Sequence, residues 1–204
     1  MLDFLFGGRR YRNVERQMVI LGKRLGIPAT LPASRNNPFS KYYPKIEGTL
    51  MKRPFSLTLY QQGTGKNKRF FTELNFELEN KYEYTLELYK ERIWSKIGKA
   101  VGMQDIQIGD PPFDNSFIIK SNDDYFATEV LKSQQSKDCF KMIFNSMDGS
   151  FKLDGTNLNY KQLGLIRTDR DRVFAEHLIE TGLVLSMNIE KFAFDRDPTR
   201  MEEL

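Results

Sequence analysis

The sequence predicts an α+β fold in which antiparallel strands, arranged in hairpin runs, are covered by helices. Three observations predict it. Apolar residues recur with a three-and-four spacing near both ends of the chain and alternate with polar ones in its middle. Strand candidates follow one another across short turns, without the intervening helices that a parallel sheet needs. The 204 residues are 40% hydrophobic and 13% aromatic, far from a disordered composition and sufficient for a sizeable core.

Taken in chain order, the first element is a helix over 13–25, where Val14, Met18, Leu21 and Leu25 fall on one face. Gly26 supplies its left-handed stop and Pro28 prevents continuation. A stretch rich in Pro, Ser and Asn follows and reads as a long loop. Strands are expected over 46–51, 55–61, 70–79 and 82–90, as a four-legged meander. In its last two legs Leu74, Phe76, Leu78, Tyr84, Leu86 and Leu88 form the core side. Glu73, Glu77, Glu79, Glu83 and Glu87 fall on the wet side as an acidic patch.

The period then changes. Ile93, Ile97 and Val101 repeat every four residues, predicting a short helix closed by Gly102. Trp94 borders this apolar stripe, and Arg92, Lys96 and Lys99 surround it, so these four residues form a candidate interface. The helix follows a meander that needs a cover, which is its first reading. A peripheral membrane contact is the second, since a basic amphipathic helix with a boundary Trp suits a bilayer surface.

Beyond Gly102, a short strand is expected around 106–108 and a strand buried on both faces over 117–119. Helical segments should cover 123–132 and 137–144, and a hairpin should turn at Asp154-Gly155. A long helix over about 170–189 comes last, with 193–204 as a frayed tail. The whole reads as one domain over 1–204, divisible near Gly102 into two packed halves, 13–102 and 103–192.

Chemistry is constrained by scarcity. One Cys and one His leave no zinc cluster of the Cys/His kind, and no metal site or cofactor is expected. Cys139, beside Phe140, reads as a small buried hydrophobe, and His177 as a helix-boundary residue. The lone Cys fits a reducing, cytoplasmic setting. No window is long and apolar enough for a membrane span. "GTGK" at 63–66 lacks the first Gly of a phosphate-binding loop, has Asn67 where Ser or Thr belongs, and is flanked by strands, so it reads as a hairpin loop.

Carboxylates remain. Ser121 with Asp124, and Thr168 with Asp169 and Asp171, sit where helix caps are needed. Asp110 and Asp114, in "IGDPPFDNSFIIKSNDD", are the candidate ligand-binding pair. Their competing role is structural: Pro111 forces Asp110 to be extended, and Asp114 can close a turn by accepting backbone N–H groups.

The same stretch carries a resemblance. The pattern G-D-P-x-F-D-x-x-F-x-I-x-S-N-D, here Gly109 to Asp123, resembles one found in uncharacterised bacterial proteins classed as a domain of unknown function. The similarity extends over about 14–190, including the helix ending "LG" and "YPKIEGTLMKRPFSLTLY". It implies a bacterial setting and brings no catalytic residue with it. Some similar proteins carry membrane spans beside this domain.

The leading expectation is a non-enzymatic binding or interaction domain with a protein or small-molecule partner. A carboxylate-dependent hydrolase or metal-dependent enzyme using Asp110 and Asp114 is the alternative, and a peripheral membrane module the second. Nucleic acid is disfavoured by the acidic wet face and by a net charge of only +4.

Overall fold

The computed structural model describes residues 2–32, 43–80, 82–91 and 106–196, with side chains from Arg12 onward in the first helix. Eight strands form one antiparallel sheet: β1 (Ala29–Thr30), β2 (Lys45–Leu50), β3 (Arg53–Gln62), β4 (Arg69–Glu77), β5 (Leu86–Lys90), β6 (Phe117–Ser121), β7 (Ser150–Asp154) and β8 (Asn157–Leu163). The order across the sheet is β1-β2-β3-β4-β8-β7-β5-β6. The α+β architecture is the one the sequence predicts.

The meander is shorter than expected. β5 is not its next leg, because the β7–β8 hairpin stands between: β8 pairs with β4, and β7 with β5. Alternation dictates which face a residue takes but not which strand lies beside it, and chain neighbours are only the default partners. Residues 82–85 form a turn in place of strand. Asn80 holds it, accepting from the Tyr84 N–H and donating to the Tyr84 and Gly155 carbonyls at 2.8 and 2.7 Å.

Register explains the core. Ile46, Leu57, Leu74, Tyr160, Phe151, Leu88 and Ile119 are successive cross-strand partners from β2 to β6, and each is at most 1% exposed. A second row of Phe55, Phe76, Leu158, Leu153 and Leu86 runs beside it. Full burial of such side chains stabilises by about 1.5–3 kcal/mol each.

Helices cover this face: α1 (Leu2–Leu25), α2 (Pro111–Asp114), α3 (Asp124–Leu131), α4 (Gln134–Ile143) and α5 (Asp169–Asp195). In α1, Val14, Met18 and Leu21 are buried as their spacing predicts, and Gly26 at φ +71° ends the helix. α5 opens with a capping box between Thr168 and Asp171. It outruns the predicted end at 189 because Phe192 meets Tyr84 and Phe126 edge-on, with centroids 5.4 and 5.3 Å away. The helix therefore takes in the first residues of the expected tail, 193–195, while 197–204 lie outside the described residues.

Three local expectations need correction. Residues 106–108 are not a strand; the Ile106 N–H makes a single rung to the Ile119 carbonyl. β6 is not buried on both faces, since Ile118 points to the other side of the sheet and is half-buried. In the β7–β8 hairpin, Asp154 pairs with Asn157, so the loop is Gly155-Thr156, one residue later than expected. The "GTGK" segment is a hairpin loop, with a 3-10 turn over Gly65–Asn67 between β3 and β4.

α5 lies on the middle of the sheet at Gly182. A Cβ there would stand 2.8 Å from Phe76 Cε2 and 3.2 Å from Leu74 Cδ2. Gly182→Ala should therefore destabilise by about 1–3 kcal/mol from overpacking, even though Ala favours helix by about 1 kcal/mol. Urea unfolding measures this, and a stabilised variant would show that helix and sheet are not in close contact here.

The β2–β3 hairpin turns through Met51 and Lys52, both at positive φ (45° and 69°), between the paired Leu50 and Arg53. This is the type I′ position where Asn-Gly is preferred. Met51 is 68% exposed, so its side chain gives little packing in return. The variant Met51→Asn, Lys52→Gly should gain about 1 kcal/mol or more by relieving left-handed strain, read as a raised urea midpoint with unchanged slope. A lowered midpoint would count against the strain.

Candidate functional site

The stretch 109–123, where the sequence concentrates its acids, is built from the backbone outward. Gly109 takes φ +77° and Asp110 is extended before Pro111, as a residue preceding proline must be. Pro111 and Pro112 open the one-turn helix α2, and the Asp110 carboxylate caps it by accepting the Phe113 N–H at 3.2 Å. Asp114 reaches back: Oδ1 accepts the Ile108 N–H and Oδ2 the Asp110 N–H, both at 3.0 Å. Phe113 and Phe117 then anchor the turn, with centroids 4.7 Å apart and both edge-on to Phe140 of α4.

The end of the stretch is equally occupied. Ser121 donates to the Thr85 carbonyl at 2.6 Å, and Asn122 accepts the Thr85 N–H at 2.8 Å and donates to the Glu83 carbonyl. Asp123, not Ser121, is the N-cap of α3, accepting the Phe126 N–H at 2.8 Å. The strand takes in Ser121, which still pairs with Leu86, and the cap falls two residues later than Ser121.

The structure brings Asp110 and Asp114 together on one turn and adds Lys137, whose Nζ lies 2.7 Å from Asp110 Oδ2. The sequence held no sign of Lys137, which arrives from α4. Its ammonium, and then the Phe113 N–H, pull the Asp110 carboxyl below its ordinary 3.8. Among the described residues, no three His, Cys, Asp or Glu side chains converge in a way that could hold a metal ion. Cys139 is buried, and that burial, with Glu180 and Asp138 nearby, raises its thiol pKa. His177 Nδ1 lies 3.7 Å from Glu180 on its own helix. Trp94, Arg92, Lys96 and Lys99 lie outside the described residues.

A second arrangement was hidden from sequence reading. On the sheet face opposite the apolar rows, Tyr60 stacks on Phe71 with centroids 5.5 Å apart, and Lys161 Nζ stands 4.6 Å from Phe71 and 5.2 Å from Tyr60. Burial of the Tyr60 hydroxyl, reinforced by Glu73 and opposed by Lys161, raises its pKa. Asn159 donates to Glu73 at 2.7 Å. Leu163, the cross-strand partner of Phe71, is 48% exposed and extends the patch.

Register also corrects the acidic wet face. Glu73 is the partner of Lys161, and Glu87 lies between Lys120 and Lys152. Opposite charges on facing positions stabilise by about 0.2–1 kcal/mol per pair. The face is a mixed lattice of charge. Its lysines come from β6, β7 and β8, which the sequence separates from the glutamates by thirty residues or more.

No family model matches this chain, and no curated protein matches it. Its structure is similar to the crystal structure of the mycobacterial trehalose monomycolate transport factor A, TtfA, with a TM-score of 0.51 and 6% sequence identity, over 85% of this chain and 95% of that one. At that identity the likeness is one of fold. Among the described residues no helix is long and apolar enough to cross a membrane.

The Asp110–Lys137 pair has a titration signature. Asp110 should titrate below 3.8, so its contribution to stability is complete above about pH 4 and is lost as pH falls through the depressed value. Lys137→Met should move the midpoint up toward the ordinary range, measured by carboxyl-carbon NMR. Identical midpoints in the two proteins would exclude the ion pair in solution.

Proposed function

We infer that this chain is a non-enzymatic binding domain whose outward sheet face carries its contact surface. The observation that supports this reading most is the commitment of the conspicuous acids. Both Asp114 oxygens accept backbone N–H groups, and Asp110 is tied to Lys137 and to a helix cap. A general base or metal ligand needs free lone pairs directed at a substrate. These carboxylates are spent on their own turn.

The Tyr60–Phe71–Leu163 row, with Lys161 above it, has what contact surfaces use: aromatic area of low side-chain entropy, an exposed aliphatic neighbour and polar groups at its margin. The fold similarity to TtfA, a transport factor, favours a protein or lipid partner. A place in the bacterial family marked by the G-D-P-x-F-D motif is part of the same proposal.

Site-specific photocrosslinking in cells tests it. A photoreactive residue at Phe71 should capture a discrete partner, whereas one at Val173, on the solvent side of α5, should not. Lys161→Glu should abolish the capture, and Asp110→Asn should leave it intact. Capture lost with Asp110→Asn in a folded protein, or metal-dependent hydrolysis by the wild type that Asp114→Asn eliminates, would replace the binding reading with an enzymatic one.

A further inference from the structure

The end of α5 gathers aromatic rings from three separate parts of the chain. Tyr84, from the turn before β5, stacks on Phe126 of α3 with centroids 4.3 Å apart and 7° between the planes, and Phe192 of α5 meets both edge-on. Tyr125 lies 5.9 Å from Phe192, and Tyr82 lies 5.8 Å from Tyr84. Tyr84, Phe126 and Phe192 are buried, whereas Tyr125 is 55% and Tyr82 37% exposed, so the cluster has a core side and a wet side.

A cation sits on the wet side. The guanidinium carbon of Arg196 stands 4.8 Å from the ring centroids of both Tyr125 and Phe192, over the notch between them. Phe192 lies one helical turn before Arg196, an ordinary spacing for side chains that meet. The other groups reach the cation from elsewhere: the Tyr82 hydroxyl donates to the Arg196 carbonyl at 3.1 Å, and Asp123 brings a carboxylate from the N-cap of α3. Tyr84 first, with Asp123 and Tyr125 behind it, raises the pKa of the guanidinium, and burial opposes them.

Two ring faces beside a carboxylate form the arrangement by which proteins recognise organic cations. The ring quadrupoles attract a positive charge that is weakly hydrated, and the carboxylate adds net attraction. A planar guanidinium suits it better than an ammonium, because it stacks on aromatic faces and loses less hydration there. The rings do not depend on Arg196 for their places. Tyr84, Phe126 and Phe192 pack on one another, and Tyr125 is fixed in the first turn of α3, which Asp123 caps.

We propose that this notch is a recognition site for a guanidinium group, the arginine side chain of a partner polypeptide, and that Arg196 is its occupant from within the chain. A tethered occupant competes at an effective concentration of millimolar or more. A free cation therefore gains the notch when Arg196 is removed, and a partner's arginine displaces it when further contacts add to its hold. No residue of the outward sheet face takes part, so this inference and the binding reading given above can fail separately.

The test is titration of the full chain carrying Arg196→Ala with Nα-acetylarginine amide, followed through the ring-proton NMR signals of Tyr125 and Phe192. Saturable shifts of both rings are expected, with the Tyr60 ring on the sheet face unmoved. In the wild type the midpoint should lie at least about tenfold higher, because Arg196 competes. Adding Tyr125→Ala to Arg196→Ala should weaken binding about two- to fivefold, the share of one exposed cation–π contact, read on Phe192. Nα-acetyllysine amide should bind more weakly than the arginine probe. Circular dichroism confirms that each variant is folded, and Arg196→Gln serves if the alanine variant is not. The proposal is overturned by the absence of saturable shifts in the folded variant, by equal midpoints in variant and wild type, or by binding indifferent to Tyr125→Ala. Equal shifts at Tyr60 would mean contact without a site, and tighter binding of the lysine probe would exclude a guanidinium site; either result also overturns it.

Discussion

The row Ile46–Leu57–Leu74–Tyr160–Phe151–Leu88–Ile119 is the constraint from which the rest of the structure follows. It crosses seven strands without a polar interruption and is sealed from water along its whole length. Its members come from positions far apart in the chain, and the β7–β8 hairpin supplies the two at its centre. Without that hairpin, β4 and β5 would each present an unpaired edge and the row would be two fragments. A sheet buried on one face needs a cover reaching from end to end, and α5, at 27 residues, spans about 40 Å. Gly182 lets it settle against Leu74 and Phe76.

A cover this long buries polar groups with it, and their satisfaction explains most of the distinctive side chains. Asn188 of α5 donates to the Val130 carbonyl at 2.9 Å and to Ser136 Oγ at 2.8 Å, meeting a carbonyl at the end of α3 and the first turn of α4 with one amide. Between α1 and α5, the buried Arg172 donates to Gln17 at 3.1 Å and pairs with Glu176, which Arg24 also engages. An unpaired guanidinium there would be costly, so the network fixes how α1 docks. Asp110, Asp114 and Asp123 act in the same way on the loop side. Chemistry-bearing residue types gathered in one stretch are thus the signature of a chain reversing direction repeatedly in a small space.

The sequence showed what depends on local periodicity and missed what depends on long-range pairing. The core faces of α1, β4 and β5, the stop at Gly26 and the capping box of α5 are legible because the residues that fix them lie within a few positions of one another. Asp114's role was readable for the same reason, since its partners are six and four residues away. The insertion of β7–β8, the Asp110–Lys137 pair and the Tyr60–Phe71–Lys161 patch were not. Each joins segments separated by tens of residues, and alternation carries no address for a partner strand. The end of α5 was misplaced for a related reason: Phe192 is held by Tyr84 and Phe126, which no helical pattern around 189 reveals.

The same limit explains why the charge of the outward sheet face was misjudged. Five glutamates on alternating positions look like an acidic field only while their strands are considered alone. Once β8, β7 and β6 are placed, Lys161, Lys152 and Lys120 stand opposite Glu73 and Glu87. Local neutrality has a functional consequence. A mixed lattice exerts little field beyond about one Debye length, roughly 8–10 Å at ordinary salt, so a partner at that face would be selected by fit at contact and not by attraction from a distance. α1 is the opposite case, because its sequence carries the surplus of the whole chain and Arg12, Arg16 and Lys23 are exposed. The charge surplus that acts at a distance therefore lies in the first helix, and the sheet face adds little to it.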